Sequence, residues 1–508
     1  MKRLHSCLYV IRLEEKGNNP EQCTAVQHIV ANTAKPAPYL VFGPPGTGKT
    51  VTLVKAIMQI VKTKPAECNI LVCAPSNSAT DHLCEKILEV TPKRCTVYRL
   101  YALRCAVKTL SKERRVWIFF LSVLLIAHFS CNLDLKENQV MIPSKVELMR
   151  HKIMVTTLNT AGRLVTGGIP QGHYSYIFVD EAGQATEPEC IIPLAGLMKL
   201  KTCQVVLAGD PKQLGAVITS IMAKKYGLGL SLLERLMSDI DLYKQHETYG
   251  FNKRFVTKLL RNYRSHPAIL KIPNGLFYKG ELQTFASNEI CSLYCKWELL
   301  PKKVMQPPHA RTHGFPLIFH GVAGTDERDE DSPSIYNTAE VEVLKEYLKA
   351  LIKHLHKKGV TNIGPNEIGI IAPYRKQVEK IQNALQTDQD LCKENLENIS
   401  VGTVESFQGK ESKVILVSAA RSIPKLTDPK QRFSLGFVDN EKRFNVAMTR
   451  AQALLIVVGD PRVLRTDATW NKFIHYCYEE GGYRGIPLSD EEEEDTLTDE
   501  NSPSFREE

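Results

Sequence analysis

The octapeptide Gly43-Pro44-Pro45-Gly46-Thr47-Gly48-Lys49-Thr50 constrains this chain more than any other stretch. It follows the apolar run Tyr39–Phe42 and opens a helical pattern from Val51 to Val61. A glycine-rich turn in that position lets successive backbone N–H groups wrap the phosphates of a nucleotide. In this pattern Lys49 reaches the β and γ oxygens, and the Thr50 hydroxyl takes a place on Mg²⁺. The strand–loop–helix context separates a phosphate loop from an ordinary surface turn.

A second acidic element completes the reading. Asp180-Glu181 follows the apolar run Tyr176–Val179 and precedes Ala182-Gly183. The carboxyl end of a buried parallel strand is where such sheets place ligands. Asp180 is expected to hold the metal, and Glu181 to orient and polarise the water that attacks the γ-phosphate. A solvated acidic pair would rarely follow four apolar residues.

Composition sets the class. A chain of 508 residues holds two or three domains, and 43% hydrophobic with 24% charged residues is ordinary for a globular protein. From Asp490 onward ten acids face one basic residue, so removing that net −9 from the formal +9 leaves +18 on the body. A basic body favours a polyanion, most often nucleic acid. The acidic end reads as a disordered tail. Fourteen cysteines lie scattered without a framework, which fits reduced thiols. Cys291 and Cys295 have no second pair at zinc spacing, so no metal beyond Mg²⁺ is expected. The apolar run Val116 to Phe129 is shorter than the roughly 20 residues that cross a bilayer. It reads as a buried element or as retained non-coding sequence. The amino terminus lacks a secretory signal pattern.

Strand-like runs alternate with helical patterns in two blocks, which predicts two parallel α/β domains. The first block has Tyr39–Phe42, Ile70–Cys73, Ile153–Thr156, Tyr176–Val179 and Val205–Ala208. The second has Leu317–His320, Ile368–Ala372, Val414–Ser418 and Leu454–Val458. The expected division lies in the polar stretch Asp241 to Lys253, giving domains over 19–248 and 249–486. Residues 1–18 form a remnant segment, 487–508 the tail, and about 95–150 an accessory insertion in the first domain.

Other residues fall around the two central motifs. Gln22 offers both a donor and an acceptor, as the edge of adenine requires, although a glutamine at a helix start is more often a surface residue. Gln213, in Gly209-Asp210-Pro211-Lys212-Gln213-Leu214, is placed to report the γ-phosphate. Arg264 in Asn262-Tyr263-Arg264-Ser265-His266-Pro267 and Arg450 in Asn445-Val446-Ala447-Met448-Thr449-Arg450-Ala451 are candidate arginine fingers from the second domain. Tyr263 stacks on the adenine ring or belongs to the core. Ser76, Asn77, Thr157, Thr160 and Thr403 suit sequence-independent grip on phosphate and sugar, or act as helix caps and turn residues.

This ordered motif set resembles a superfamily-one helicase of the Up-frameshift-like branch, nearest the Mov-ten/Armitage group of RNA helicases. The finer resemblance rests on Ala74–Ser78, Thr156–Leu164, Leu259–Pro267, Ala372–Lys380 and Gly402–Glu411, and it covers about Asn19 to Tyr483. It implies tandem RecA-like domains, ATP with Mg²⁺ in a cleft between them, and Glu411 as a further nucleotide contact. It also implies 5′-to-3′ travel on single-stranded RNA, and a cytoplasmic role in RNA silencing and messenger turnover. Silencing and decay proteins are then the expected partners, with cytoplasmic ribonucleoprotein granules as one site and no membrane association. Relatives carry amino-terminal regions and a small barrel before the Gln22 motif, whereas about 18 residues precede Asn19 here, so the sequence reads as a fragment or an incomplete gene model. Two rival readings remain at this point: a DNA helicase of the same superfamily, and an ATP-gated RNA clamp or scaffold that unwinds little.

Overall fold

The computed structural model describes residues 19–64, 68–92, 94–103, 128–134, 137, 139–291, 293–294, 315–329, 334–355, 364–392, 399–422 and 440–488. The remnant segment, nearly all of the acidic tail, Cys295 and all but the end of the apolar run at Val116 lie outside those residues. The chain divides into two compact units, 1–264 with 280–286, and 265–279 with 287–508.

In the first unit the strands are β1 (Tyr39–Phe42), β2 (Ile70–Ala74), β3 (Val97–Leu100), β4 (Phe129–Cys131), β5 (Ile153–Thr157), β6 (Tyr176–Val179), β7 (Gln204–Gly209) and β8 (Val256–Lys258). They form one sheet in the order β8-β1-β7-β6-β2-β5-β3-β4, with every pairing parallel. Central strands are buried along their whole length, as a sheet covered on both faces requires, and so read as continuous apolar runs rather than alternating ones. Helices α1 (Pro20–Ala31) and α2 (Lys49–Thr63) cover one face. Leu53, Ile57 and Ile60 recur at helical spacing on α2 and pack in one core with Val72, Val155, Phe178 and Val206. Each such fully buried side chain contributes about 1.5–3 kcal/mol. Phe178→Ala at the centre would cost about 3–5 kcal/mol through the cavity it leaves.

Two expectations about this unit change. Val97–Leu100 and Phe129–Cys131, both within the stretch expected as an insertion, are parallel strands of the main sheet. Arg99 interrupts β3 with a charge, and Phe129–Cys131 is only three residues long with Phe129 at the end of the apolar run from Val116, so neither matches the pattern of a separate buried strand. At the other edge, β8 pairs with β1 through Leu40–Val256 and Val41–Thr257, so residues 249–264 pack with the first unit rather than starting the second.

The second unit holds β9 (Leu317–Gly321), β10 (Ile368–Ala372), β11 (Ser400–Thr403), β12 (Ser412–Ser418), β13 (Ala451–Gly459) and β14 (Tyr483–Gly485). Their order is β11-β10-β12-β13-β9-β14, again parallel throughout. Helices α3 (Asn77–Val90) and α4 (Leu158–Thr166) belong to the first unit; α5 (Thr338–Leu355), α6 (Arg375–Thr387) and α7 (Glu441–Met448) belong to the second. Below the carboxyl end of β12 lies a buried polar network. Glu340 of α5 accepts from Ser418 Oγ at 2.5 Å and from the Ala420 N–H at 2.8 Å. Gln377 Nε2 donates to Ser418 Oγ, and Asn337 Nδ2 to Ser422 Oγ. Burial pushes the Glu340 carboxyl up to about 8, against the two hydrogen bonds that favour its charge. No described helix is long and apolar enough to cross a membrane.

Candidate nucleotide and nucleic-acid sites

The phosphate loop runs from the carboxyl end of β1 into α2. Gly46 and Gly48 have φ of +66° and +81°, a region that side chains rarely enter. Space forbids side chains there as well. A Cβ on Gly48 would lie 2.6 Å from Gln22 Nε2, and one on Gly46 would lie 2.6 Å from Arg264 Cβ. Thr47 folds back, its hydroxyl donating to the Pro44 carbonyl at 2.7 Å. Gly48 precedes α2 at its N-cap without a side-chain hydrogen bond, so the first-turn amides remain the positive end of the helix.

The acidic strand end faces this loop. Thr50 Oγ1 donates to Asp180 Oδ2 at 2.9 Å, and Lys49 Nζ lies 3.9 Å from Glu181 Oε1. Lys49 Nζ also donates to the Gly43 carbonyl at 2.9 Å. Glu181 has a left-handed φ of +51°, which turns its side chain from the strand direction, and Gln184 Nε2 holds its Oε2 at 2.8 Å. Burial, then the neighbouring Glu181 charge, raises the Asp180 carboxyl to about 6, while Lys49 and Thr50 pull it down. The Thr50 hydroxyl and Asp180 carboxylate are hard oxygen donors of the kind that a small divalent cation takes in ones and twos, its remaining places filled by phosphate and water. The donor set fits Mg²⁺.

Residues beyond the loop hold its shape. Gln22 Nε2 donates to the Thr47 carbonyl at 3.1 Å, with the Gln22 N–H capped by Asn19 Oδ1. Asn19 Nδ2 in turn donates to Tyr263 OH at 3.0 Å, so Gln22 and Tyr263 flank one end of the loop. Tyr263 is 42% exposed, which removes the core reading of this residue. Asn262, whose role no local spacing announces, donates through Nδ2 to the Pro45 carbonyl at 2.7 Å. Its Oδ1 accepts from the Arg264 N–H. Arg264 therefore stands beside the phosphate loop in the first unit, not in the second as expected. Gln213 is buried and its Nε2 donates to Asp210 Oδ2 at 2.7 Å.

The candidate nucleic-acid residues of this unit cluster at strand ends. Ser76 accepts from the Ala79 N–H as the cap of α3, with Asn77 exposed beside it. Thr157 caps α4 by accepting from the Thr160 N–H and donates to Thr160 Oγ1 at 2.8 Å. Ser76 and Thr157 are thus the N-caps of α3 and α4. In the second unit, Thr403 ends β11 and its carbonyl accepts from Ser406 Oγ. Glu411 Oε1 accepts from Gln452 Nε2 at 2.9 Å. Arg450 is buried, donating to the carbonyls of Val446 and Lys410 and to Thr449 Oγ1.

These features define a two-unit P-loop α/β protein. A family profile described as an AAA domain matches residues 17–117 and 125–221, and a second of the same description matches 228–462. The chain is 51% identical to mov-10-B.1 of Danio rerio, over 95% of this chain and 45% of that protein. It is 47% identical to MOV-10 of Gallus gallus, over 94% of this chain and 48% of the relative. It is 39% identical to RNA helicase Mov10l1 of Mus musculus, over 93% of this chain and 37% of the relative. The chain spans less than half the length of each of these relatives. It belongs to the superfamily-one helicases of the Up-frameshift-like branch, within the Mov-ten/Armitage group.

Proposed function

We propose that this chain is the motor of an ATP-dependent RNA helicase, hydrolysing ATP to move along single-stranded RNA. The observation that carries the reading is the meeting of Thr50 with Asp180, and of Lys49 with Glu181, at the mouth of the glycine-rich loop. In the proposed reaction the loop amides and Lys49 bind the β and γ phosphates, and Gln22 and Tyr263 hold the base. Mg²⁺, held through Thr50 and Asp180, supplies charge neutralisation on the phosphate oxygens. Glu181 accepts a proton from a water as its oxygen attacks the γ-phosphorus. The bond from that phosphorus to the bridging oxygen breaks, leaving ADP and inorganic phosphate. Arg264 and Arg450 offset the charge that develops on the transferred group. Gln213 senses whether the γ-phosphate is present, and Glu411 contributes to nucleotide binding.

Ser76, Asn77, Thr157, Thr160 and Thr403 hold the RNA backbone, and ATP-driven change in the grip of the two units advances the strand. Travel from 5′ to 3′, work in RNA silencing and messenger turnover with proteins of those pathways, and a cytoplasmic location belong to the same proposal. Family membership supports it, and so does the basic body of the chain. The test is ATP-dependent displacement of a strand from an RNA duplex with a 5′ single-stranded tail, beside a duplex tailed at 3′. Displacement from the 5′-tailed substrate is expected. RNA binding and ATP turnover without displacement would replace the motor with a clamp, and equal stimulation by DNA would remove the RNA preference.

A further inference from the structure

Asn77 carries its amide in an orientation set from below. Arg99, on β3 and fully buried, spreads three nitrogens over three acceptors. Its Nε donates to Asp81 Oδ1 at 2.8 Å, one terminal nitrogen to the Leu100 carbonyl at 2.8 Å, and the other to Asn77 Oδ1 at 3.1 Å. Arginine has no acceptor, so the atom of Asn77 that faces it must be the oxygen. The Asn77 NH₂ therefore points away from the core, at an exposed position on the first turn of α3.

The support beneath Arg99 is rigid and satisfied. Tyr101 lies under the guanidinium, 4.0 Å from its ring centre, and its hydroxyl donates to the same Asp81 oxygen at 2.9 Å. Asn132 clamps the Tyr101 backbone from both sides, accepting from its N–H and donating to its carbonyl. The Leu100 carbonyl that receives Arg99 also receives Thr156 Oγ1 at 2.9 Å, one residue before the Thr157 cap. A single buried hub thus fixes the start of α3 and touches the strand end that carries Thr157. A buried ion pair contributes little net stability unless its geometry is this complete.

We propose that Arg99 is a positioning residue for RNA: it fixes Asn77 as a hydrogen-bond donor toward the strand, so that this contact selects a phosphate or sugar oxygen. This rests on the proposed RNA-binding function. A planar fork is needed to hold Asp81, Leu100 and Asn77 together, and lysine cannot supply it.

The test is binding of a labelled oligouridylate, at one fixed salt concentration, by the full chain as wild type, Arg99→Lys, Asn77→Ala and the double variant. Each single change should weaken binding by about tenfold, the value of one hydrogen bond to a charged oxygen. The double variant should be no weaker than either single one, because both remove the same contact. Multiplying effects, or an Asn77→Ala protein that binds as tightly as wild type, would overturn the proposal. Should Arg99→Lys not fold, Asn77→Asp decides. That change keeps an oxygen for Arg99 and turns the outward donor into an acceptor, so it should bind more weakly than Asn77→Ala. Binding equal to wild type would refute the assignment. A wild-type chain that binds no RNA would instead remove the function on which the proposal stands.

Discussion

Asn262 Nδ2 donates to the Pro45 carbonyl at 2.7 Å, tying the crown of the phosphate loop to a segment more than two hundred residues further on. The Tyr263 N–H adds a second tie, to the Gly46 carbonyl at 2.8 Å. Asn262 is fully buried, so the amide is committed to this task rather than to solvent. A loop whose carbonyls are held from outside keeps one shape, and under the proposed function that preorganises its amides for an anion.

Removal of that amide should loosen the loop. Asn262→Ala leaves the Pro45 carbonyl and the Arg264 N–H without their partner, at a cost of about 1–3 kcal/mol. Thermal unfolding should shift down accordingly, and ATP affinity should fall by about tenfold. A variant with wild-type ATP affinity would show that the loop holds its shape alone.

Glu181→Gln preserves volume and the partner of Gln184 while removing the proposed base. Nucleotide binding should persist, and turnover should fall by at least about a hundredfold. Equilibrium binding and steady-state hydrolysis, measured on one preparation, separate the two effects. Near-normal turnover would reassign the base.

Much of the geometry of this candidate centre is legible in the sequence, because a glycine-rich strand-to-helix turn fixes both residue types and their order. Glycines at 46 and 48 need positive φ, Lys49 and Thr50 follow in a helix, and an acid ends a buried strand. What was hidden depends on distance rather than spacing. The role of Asn262 exists only because β8 pairs with β1. Arg99 has no signature in the sequence, and its place becomes intelligible only with Asp81, Tyr101 and Asn77 around it. Arg264 was expected with the second domain, since the polar stretch before it resembles a linker; pairing of Val256–Lys258 carries it into the first.

The buried carboxyl of the second unit gives a pH signature. Glu340 is raised to about 8, chiefly by burial. Between the ordinary glutamate range and that value, the folded chain keeps a proton that the unfolded chain has released, so stability falls as pH rises through the window. Glu340→Gln removes this dependence. The thermal midpoint of wild type should therefore decline against that of the variant by a few degrees from about pH 5 to about pH 9. A constant difference across that range would mean that Glu340 is ionised throughout.

RNA-stimulated ATP hydrolysis by the purified chain, with Lys49→Ala as the paired variant, tests the central claim most directly. The account predicts Mg²⁺-dependent turnover that rises on adding single-stranded RNA and is lost in Lys49→Ala. Turnover that survives in Lys49→Ala, or that ignores RNA, would contradict it.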